Sequence, residues 1–232
     1  MKIGLIGAMD DEIKMYKEHL TERKEVTYKA MAFYIGKLQE KDVVVVKSGV
    51  GKVFAAMICQ YLIDRFKVNM VLFTGVGGSL NPALEIGDVV VSVDSVHHDF
   101  DAVALGFPRG NISYTDYRFF KAEKKLVDLA LKAKVGQHKV IAGRILTGDQ
   151  FLTHKEKQEY KYLTEELKGD CVEMEGAAVA QVCVINEIPH LIVRTISDKA
   201  DGTAVEDYNK FTPMVAHNSF KIVEWVLEHV EI

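Results

Sequence analysis

The chain has 232 residues, 48% of them hydrophobic and 27% charged, with a formal net charge of −4. Length and apolar content fit one domain spanning 1–232 with a full core, and the mild acidity gives no electrostatic footprint for a nucleic-acid partner. No run of about 18 apolar residues occurs, so no membrane span is expected. Cys59, Cys171 and Cys183 sit in apolar segments without metal spacing and are expected as buried thiols of a cytoplasmic protein.

Lys2 to Gly7 predicts a buried strand rather than a signal peptide, because acid follows at once. Asp10-Asp11-Glu12 opens a helix with Ile13, Tyr16 and Leu20 on one face. Val26 to Tyr28, Ala32 to Ile35 and Val43 to Val46 read as consecutive strands with short polar turns. Ser48-Gly49-Val50-Gly51-Lys52 leads into a helix over 53–66, and Met70 to Thr74 is a strand that ends in a Gly75-Val76-Gly77-Gly78 turn. A strand over 88–94 precedes Val96-His97-His98-Asp99. Residues 100–120, with Gly106, Pro108 and Gly110, read as a long loop, a type that is often functional in compact domains. A helix over 122–134, a strand over 140–146 and a polar-faced helix over 154–167 follow. The chain then runs through a strand-to-helix junction at Glu173 and Glu175, a helix reaching about Asn186, a strand over 189–196, a polar loop over 199–208 and a closing helix reaching Val230. This alternation predicts an α/β fold, a mixed sheet flanked by helices.

Five strand ends carry glycine or acid in the same relative place: Gly7-Ala8-Met9 with Glu12, Ser48 to Gly51, Gly75 to Gly78, Glu173 to Gly176, and Ser197-Asp198. Together they predict one pocket at the carboxyl ends of the strands. Glu175 opens a helix, where exposed N–H groups favour an anion; decoration of a first helical turn is the plain alternative for both glutamates. Ser48 to Lys52 is not a P-loop, no GxGxxG follows the first strand, and no arginine stands in the glycine segments. The expected pocket is rich in acids (Glu12, Glu173, Glu175, Asp198), which suit proton transfer and a developing cation better than a phosphate. His97-His98-Asp99 lacks a third ligand at suitable spacing, so neither a metal nor a cofactor is expected. Ser197-Asp198 lacks a nucleophile elbow. Arg194 is expected to pair with an acid near the site, and Phe151 is either core or a stacking surface.

IGAMDDE ending at Glu12, KSGVGKV at 47–53, TGVGGSL at 74–80, GDVVVS at 87–92, TGDQFL at 147–152, VEMEGAA at 172–178 and RTISDKAD at 194–201 together resemble the 5′-methylthioadenosine/S-adenosylhomocysteine nucleosidases of the nucleoside phosphorylase superfamily, along the whole chain. The resemblance implies a single-domain fold with a partly barrel-like mixed sheet. It also implies hydrolysis of the N-glycosidic bond of methylthioadenosine, adenosylhomocysteine and 5′-deoxyadenosine by a cytoplasmic homodimer. By resemblance, Asp198 protonates the purine at N7, Glu12 activates water, and Glu175 binds the ribose hydroxyls and stabilises the cationic sugar. Ser197 holds Asp198, and Arg194 and Met174 line the ribose side together with Glu173. Phe151 stacks on adenine, whose edge the Leu152 backbone reads. Met9, Val50 and Tyr208 face the 5′-alkylthio group, and Val76 and Gly77 complete the wall. Val76 stands where relatives often carry serine. The 100–120 loop, with Ala102, Leu105 and Phe107, is implied to reach into the partner subunit's site. A phosphorylase, a non-catalytic nucleoside-binding protein, and hydrolases of futalosine or AMP stay open as alternatives.

Overall fold

Two runs of consecutive apolar residues seed the sheet. In the computed structural model, which describes residues 1–153, 159–199 and 204–231 (backbone alone at 204–206, 208, 209 and 212–215), Lys2–Gly7 (β1) and Lys41–Lys47 (β4) pair in parallel, with Ile3 opposite Val43 and Ile6 opposite Val46. Their side chains still alternate between two cores. Ile3, Leu5, Val43 and Val45 pack with Tyr16, Val223, Val226 and Leu227 on one face. Ile6, Val44 and Val46 pack with Ile58, Leu62, Val179 and Cys183 on the other. Both faces are covered, so the strands read as unbroken apolar runs.

Thr21–Tyr28 (β2) and Met31–Leu38 (β3) form an antiparallel hairpin that continues onto β4. β2 is exposed over most of its length and charged, which discourages pairing at the open edge. On the other side of β1 lies Met70–Ser79 (β5), then Val89–His97 (β6), Val140–Thr147 (β8), Cys171–Glu173 (β9) and His190–Asp198 (β10); the two-residue strand Phe120–Lys121 (β7) pairs with β6. β5, β10, β6, β8 and β9 pair in that order and β9 returns to β5, so five strands close a ring from which β1, β4, β3 and β2 extend. The expected mixed, partly barrel-like sheet is therefore present.

The described helices are Asp10–His19 (α1), Lys52–Phe66 (α2), Lys124–Ala130 (α3), Tyr162–Glu165 (α4), Gly176–Ile185 (α5) and Ala204–His229 (α6). None is long and apolar enough to cross a membrane. Three expectations need correction. The glycines at 75–78 are not a turn, because β5 continues through them to Ser79. They provide clearance instead: a Cβ on Gly75 would lie 2.3 Å from Glu12 Oε1, and one on Gly77 2.6 Å from Cys171 Sγ. The helix expected over 122–134 is confined to Lys124–Ala130, after which Lys132 and Ala133 donate to carbonyls three residues back and the chain tightens into a turn. The expected loop over 199–208 is already helical from Ala204; residues 200–203, like 154–158 of the helix expected over 154–167, lie outside the described residues.

Candidate active site

The five strand ends meet in one cleft. The Ser48 and Gly49 amides donate to the Gly7 and Ala8 carbonyls at 2.9 and 3.1 Å, and the Gly51 N–H donates to Glu175 Oε1 at 2.7 Å. The cleft encloses a cavity of about 80 Å³ that opens to solvent. It is lined by Met9, Glu12, Val50, Val76, Gly77, Phe151, Leu152, Glu173, Met174, Glu175, Ser197 and Asp198. Ala8 and Gly78, both within the strand-end motifs, line it as well, as do Gln150 and Val172, which carried no expectation of their own. Each of the last two is a chain neighbour of a residue that did, so that adjacency was the available signal.

Glu12 is the third residue of α1 and closes a capping box with Met9, the pattern in which a glutamate satisfies the helix's first amides. Oε2 accepts the N–H groups of Ala8 (2.6 Å) and Met9 (3.0 Å), and Oε1 accepts that of Val76 (3.0 Å). Burial raises the Glu12 pKa, against the opposing pull of Arg194 and these three amides. The carboxylate is thus fixed in place yet poised to take a proton.

Arg194 pairs with an acid, as expected, but lies behind the cleft wall rather than in it. It is 1% exposed. Its Nε and Nη2 donate to Glu173 Oε2 at 3.1 and 2.5 Å, its plane covers the Phe73 ring at 4.2 Å, and Nη2 is 4.0 Å from Glu175 Oε2. Glu173 Oε2 also accepts the Glu175 and Gly176 N–H groups, and Thr147 Oγ1 donates to Glu173 Oε1. Glu173 is therefore saturated, an anchor of α5 more than a free acid. Glu175 is the N-cap residue of α5, not part of an extended run, yet both glutamates face the same guanidinium. Burial, and then the nearby Glu173 charge, push Glu175 up to about 8, with Arg194 and the Gly51 amide opposing.

Asp198 ends β10 just past an irregularity in pairing with β5, which sets it opposite Gly78 and lets it line the cleft. Ser197 Oγ donates to Asp198 Oδ2 at 2.9 Å, and both residues are buried. Of the apolar lining, Leu152 is buried, while Phe151 and Val50 are 40% and 50% exposed.

One group of expected residues, implied to reach the partner subunit's site, does not line the cleft of its own chain. Ala102, Leu105 and Phe107 lie in the 100–120 loop, which is irregular apart from a short 3₁₀ turn at Val103–Leu105; Leu105 is 66% exposed and Phe107 packs edge-on against Tyr114 at 5.3 Å. Tyr208 falls in α6, but its side chain lies outside the described residues. His97 Nε2 lies 2.9 Å from Gln181 Oε1 and His98 Nδ1 3.3 Å from the Tyr162 hydroxyl, and no group of His, Cys, Asp and Glu among the described residues could hold a metal ion.

The raised Glu175 pKa has a sign that can be tested. The fold holds this proton more tightly than an unfolded chain, whose glutamates titrate near 4.5. Ionising Glu175 therefore weakens the fold as pH rises from 4.5 to about 8, and has no effect below that window. Glu175→Gln keeps an acceptor for Gly51 and removes the charge. It should raise the melting temperature above pH 8, by roughly 2–4 °C per kcal/mol gained, and the gain should vanish below pH 4.5. A melting temperature that does not respond, or responds equally at both pH extremes, would refute this electrostatic reading.

A family model described as the phosphorylase superfamily matches residues 2–228. The 5′-methylthioadenosine/S-adenosylhomocysteine nucleosidase of Colwellia psychrerythraea is 36% identical over 229 residues, covering 96% of this chain and 94% of its own. The crystal structure of the Colwellia psychrerythraea nucleosidase in complex with adenine superposes with a TM-score of 0.93 at 36% identity, covering 98% of this chain and 94% of that one. Futalosine hydrolase of Helicobacter pylori reaches a TM-score of 0.92 at 34% identity over 99% of this chain and 98% of its own. With its ring of five strands, its acid-lined cleft and these relatives, the chain belongs to the phosphorylase superfamily, in the 5′-methylthioadenosine/S-adenosylhomocysteine nucleosidase family.

Proposed function

We propose that this enzyme hydrolyses the N-glycosidic bond of 5′-methylthioadenosine and S-adenosylhomocysteine, and of 5′-deoxyadenosine, releasing adenine and the 5-substituted ribose. The observation that carries the reading is charge. Glu12, Glu173, Glu175 and Asp198 line the cleft, no Lys or Arg among the described residues does, and the nearby guanidinium of Arg194 is already paired with Glu173. A phosphate dianion would face carboxylates there; a sugar that turns cationic as its bond to the base breaks would be stabilised.

In this reading adenine lies against Phe151 with its edge on the Leu152 backbone. Asp198, held by Ser197, gives its proton to N7 as the bond between N9 and C1′ breaks, so the base leaves neutral. Glu12 takes a proton from water, whose oxygen bonds to C1′. Glu175 gives up its proton to solvent as substrate binds, then as a carboxylate accepts hydrogen bonds from the ribose hydroxyls and stabilises the positive charge that develops beside it, with Met174 against the sugar. Gly77 lets the β5 backbone come close, and Val76 offers an apolar wall and its amide to Glu12. Met9, Val50 and Tyr208 receive the 5′ group. Apolar Met9, Val50 and Met174 favour an alkylthio substituent over the more polar one of futalosine, the alternative that the Helicobacter pylori likeness supports.

Adenine release from methylthioadenosine should proceed in phosphate-free buffer and yield methylthioribose. Turnover that requires phosphate and forms a ribose 1-phosphate would make the enzyme a phosphorylase. Asp198→Asn should lose about 10²- to 10⁴-fold in kcat, the usual span of general acid catalysis, and regain much of it on a substrate whose leaving group needs no protonation. Near-normal turnover of methylthioadenosine by a folded Asp198→Asn would remove Asp198 from the acid role.

The same reading makes the enzyme a cytoplasmic homodimer. Exposed apolar side chains gather at the start of α2 (Val53, Phe54) and in the 100–120 loop (Val103, Leu105, Tyr114), as at surfaces that become interfaces. Val50, beside α2, already lines the cleft, so Ala102, Leu105 or Phe107 of a second copy would complete the 5′ pocket. Cys59 and Cys183 are free thiols whose sulfurs share a hydrogen bond at 3.5 Å, in keeping with a reducing compartment. Light scattering should give about twice the 26.0 kDa chain mass; a fully active monomer would refute the shared site.

A further inference from the structure

Phe151 and Leu152 sit in a segment without regular structure that follows β8, so something other than a helix or strand must fix them. The backbone supplies two ties: the His98 N–H donates to the Thr147 carbonyl at 2.9 Å and the Gly148 N–H to the Glu173 carbonyl at 3.1 Å. Beyond Gly148 the ties among the described residues include charged side chains. The Asp149 N–H donates to Asp99 Oδ2 at 3.1 Å, and Asp149 Oδ1 accepts the Lys52 N–H at 2.9 Å. The Lys52 ammonium closes the group by donating to both Asp99 oxygens, at 2.7 and 2.6 Å, and lies 3.9 Å from Asp149 Oδ2. Burial pushes Asp99 up, but Lys52 and the Asp149 amide outweigh it and hold the carboxyl below its ordinary value.

The acceptor of the neighbouring amide gives the arrangement its meaning. Gly51 and Lys52 are consecutive at the N-terminus of α2. The Gly51 N–H goes to Glu175 at 2.7 Å and the Lys52 N–H to Asp149 at 2.9 Å. Gly51 has φ +98, and a Cβ there would lie 3.2 Å from Asp149 Oδ1, so the turn that presents both amides is fitted around this carboxylate. One helix terminus thus aligns a carboxylate at the sugar end of the cleft and the segment at its base end.

We infer that Asp149, held by Asp99 and Lys52, is a positioning residue: it clasps the base-binding segment 150–152 to the helix terminus that orients Glu175, and so fixes the spacing between base and sugar. This rests on the nucleosidase reading, with adenine at the Phe151 end. An exposed ion pair alone would contribute little; here the contacts fall on backbone amides next to the cleft, where small displacements cost rate.

The test compares Asp149→Ala, Asp149→Asn and the remote control Asp128→Ala by adenine affinity, kcat and KM for methylthioadenosine, and melting temperature. Asp149→Ala should weaken adenine and raise KM about tenfold, in line with loss of a cap-type hydrogen bond, and lower kcat about 10- to 100-fold through misplacement of Glu175. Asp149→Asn keeps an acceptor for the Lys52 amide and should restore adenine affinity and most of kcat, while Asp128→Ala should match wild type. Wild-type adenine affinity and kcat in Asp149→Ala would overturn the inference. So would equal losses in Ala and Asn that track an equal fall in melting temperature, since that marks a merely structural role. A wild type that binds adenine but releases none from methylthioadenosine would overturn the nucleosidase reading and leave the affinity comparison to decide on Asp149; one that binds no adenine overturns both.

Discussion

The buried ion pair between Arg194 and Glu173 is the constraint on which the cleft depends. Arg194 comes from β10, Glu173 from the end of β9, the Thr147 hydroxyl that donates to Glu173 from the end of β8, and the Phe73 ring under the guanidinium from β5. One interaction therefore joins four of the five strands that close the ring. Glu173 also receives the first amides of α5, which places Glu175 at the head of that helix. A buried pair of this kind is weak evidence for stability, because desolvating two charges is expensive. Removing one partner, though, leaves an uncompensated buried charge, a loss of about 3–5 kcal/mol. Its worth here is placement: the guanidinium is spent on Glu173, and only its flank, 4.0 Å away, offsets Glu175.

From this follows an acid surplus in the cleft. Glu12, Glu173 and Glu175 share a single guanidinium, and burial raises both Glu12 and Glu175. Glu12 and Glu175 hold protons that this environment keeps them from losing. A positive charge between these carboxylates relieves that strain, and an anion would deepen it. In the proposed reading binding is then differential in the sense that catalysis requires: weak for a neutral sugar, strong for a cationic one. In that reading the same electrostatics that disfavour the fold at high pH favour the charged state along the reaction.

Much of this was legible in the sequence, for identifiable reasons. β1, β4 and β5 announce themselves as apolar runs, and the glycine and acid residues at strand ends are local patterns, so Glu12, Glu175 and Asp198 could be placed at one pocket before the fold was known. What stayed hidden depends on contacts far along the chain. Gly75 and Gly77 look like a turn, yet they lie in a strand; their small size answers Glu12 and Cys171, at separations no periodicity reports. Arg194 gave its pairing but not its depth, because a residue inside a buried strand can face the cleft or the ring interior and only register decides. Asp149 was quoted in a motif without a role, since its partners Lys52 and Asp99 come from two other segments. The helical start at Ala204 was missed because the segment 199–208 is too polar to show a helical stripe.

The central claim is that this cleft selects positive charge on the sugar, and calorimetry with two otherwise matched adenine nucleoside analogues tests it most directly. One analogue carries a protonated nitrogen in the sugar ring and the other a neutral ring. At neutral pH the cationic analogue should bind at least about 10²-fold more tightly. Because burial and the Glu173 charge push Glu175 up to about 8, binding of the cationic analogue should release a proton, seen as heats that change with buffer, and Glu175→Gln should abolish both the preference and the release. Equal affinities for the two analogues, with no proton released by either, would contradict the account.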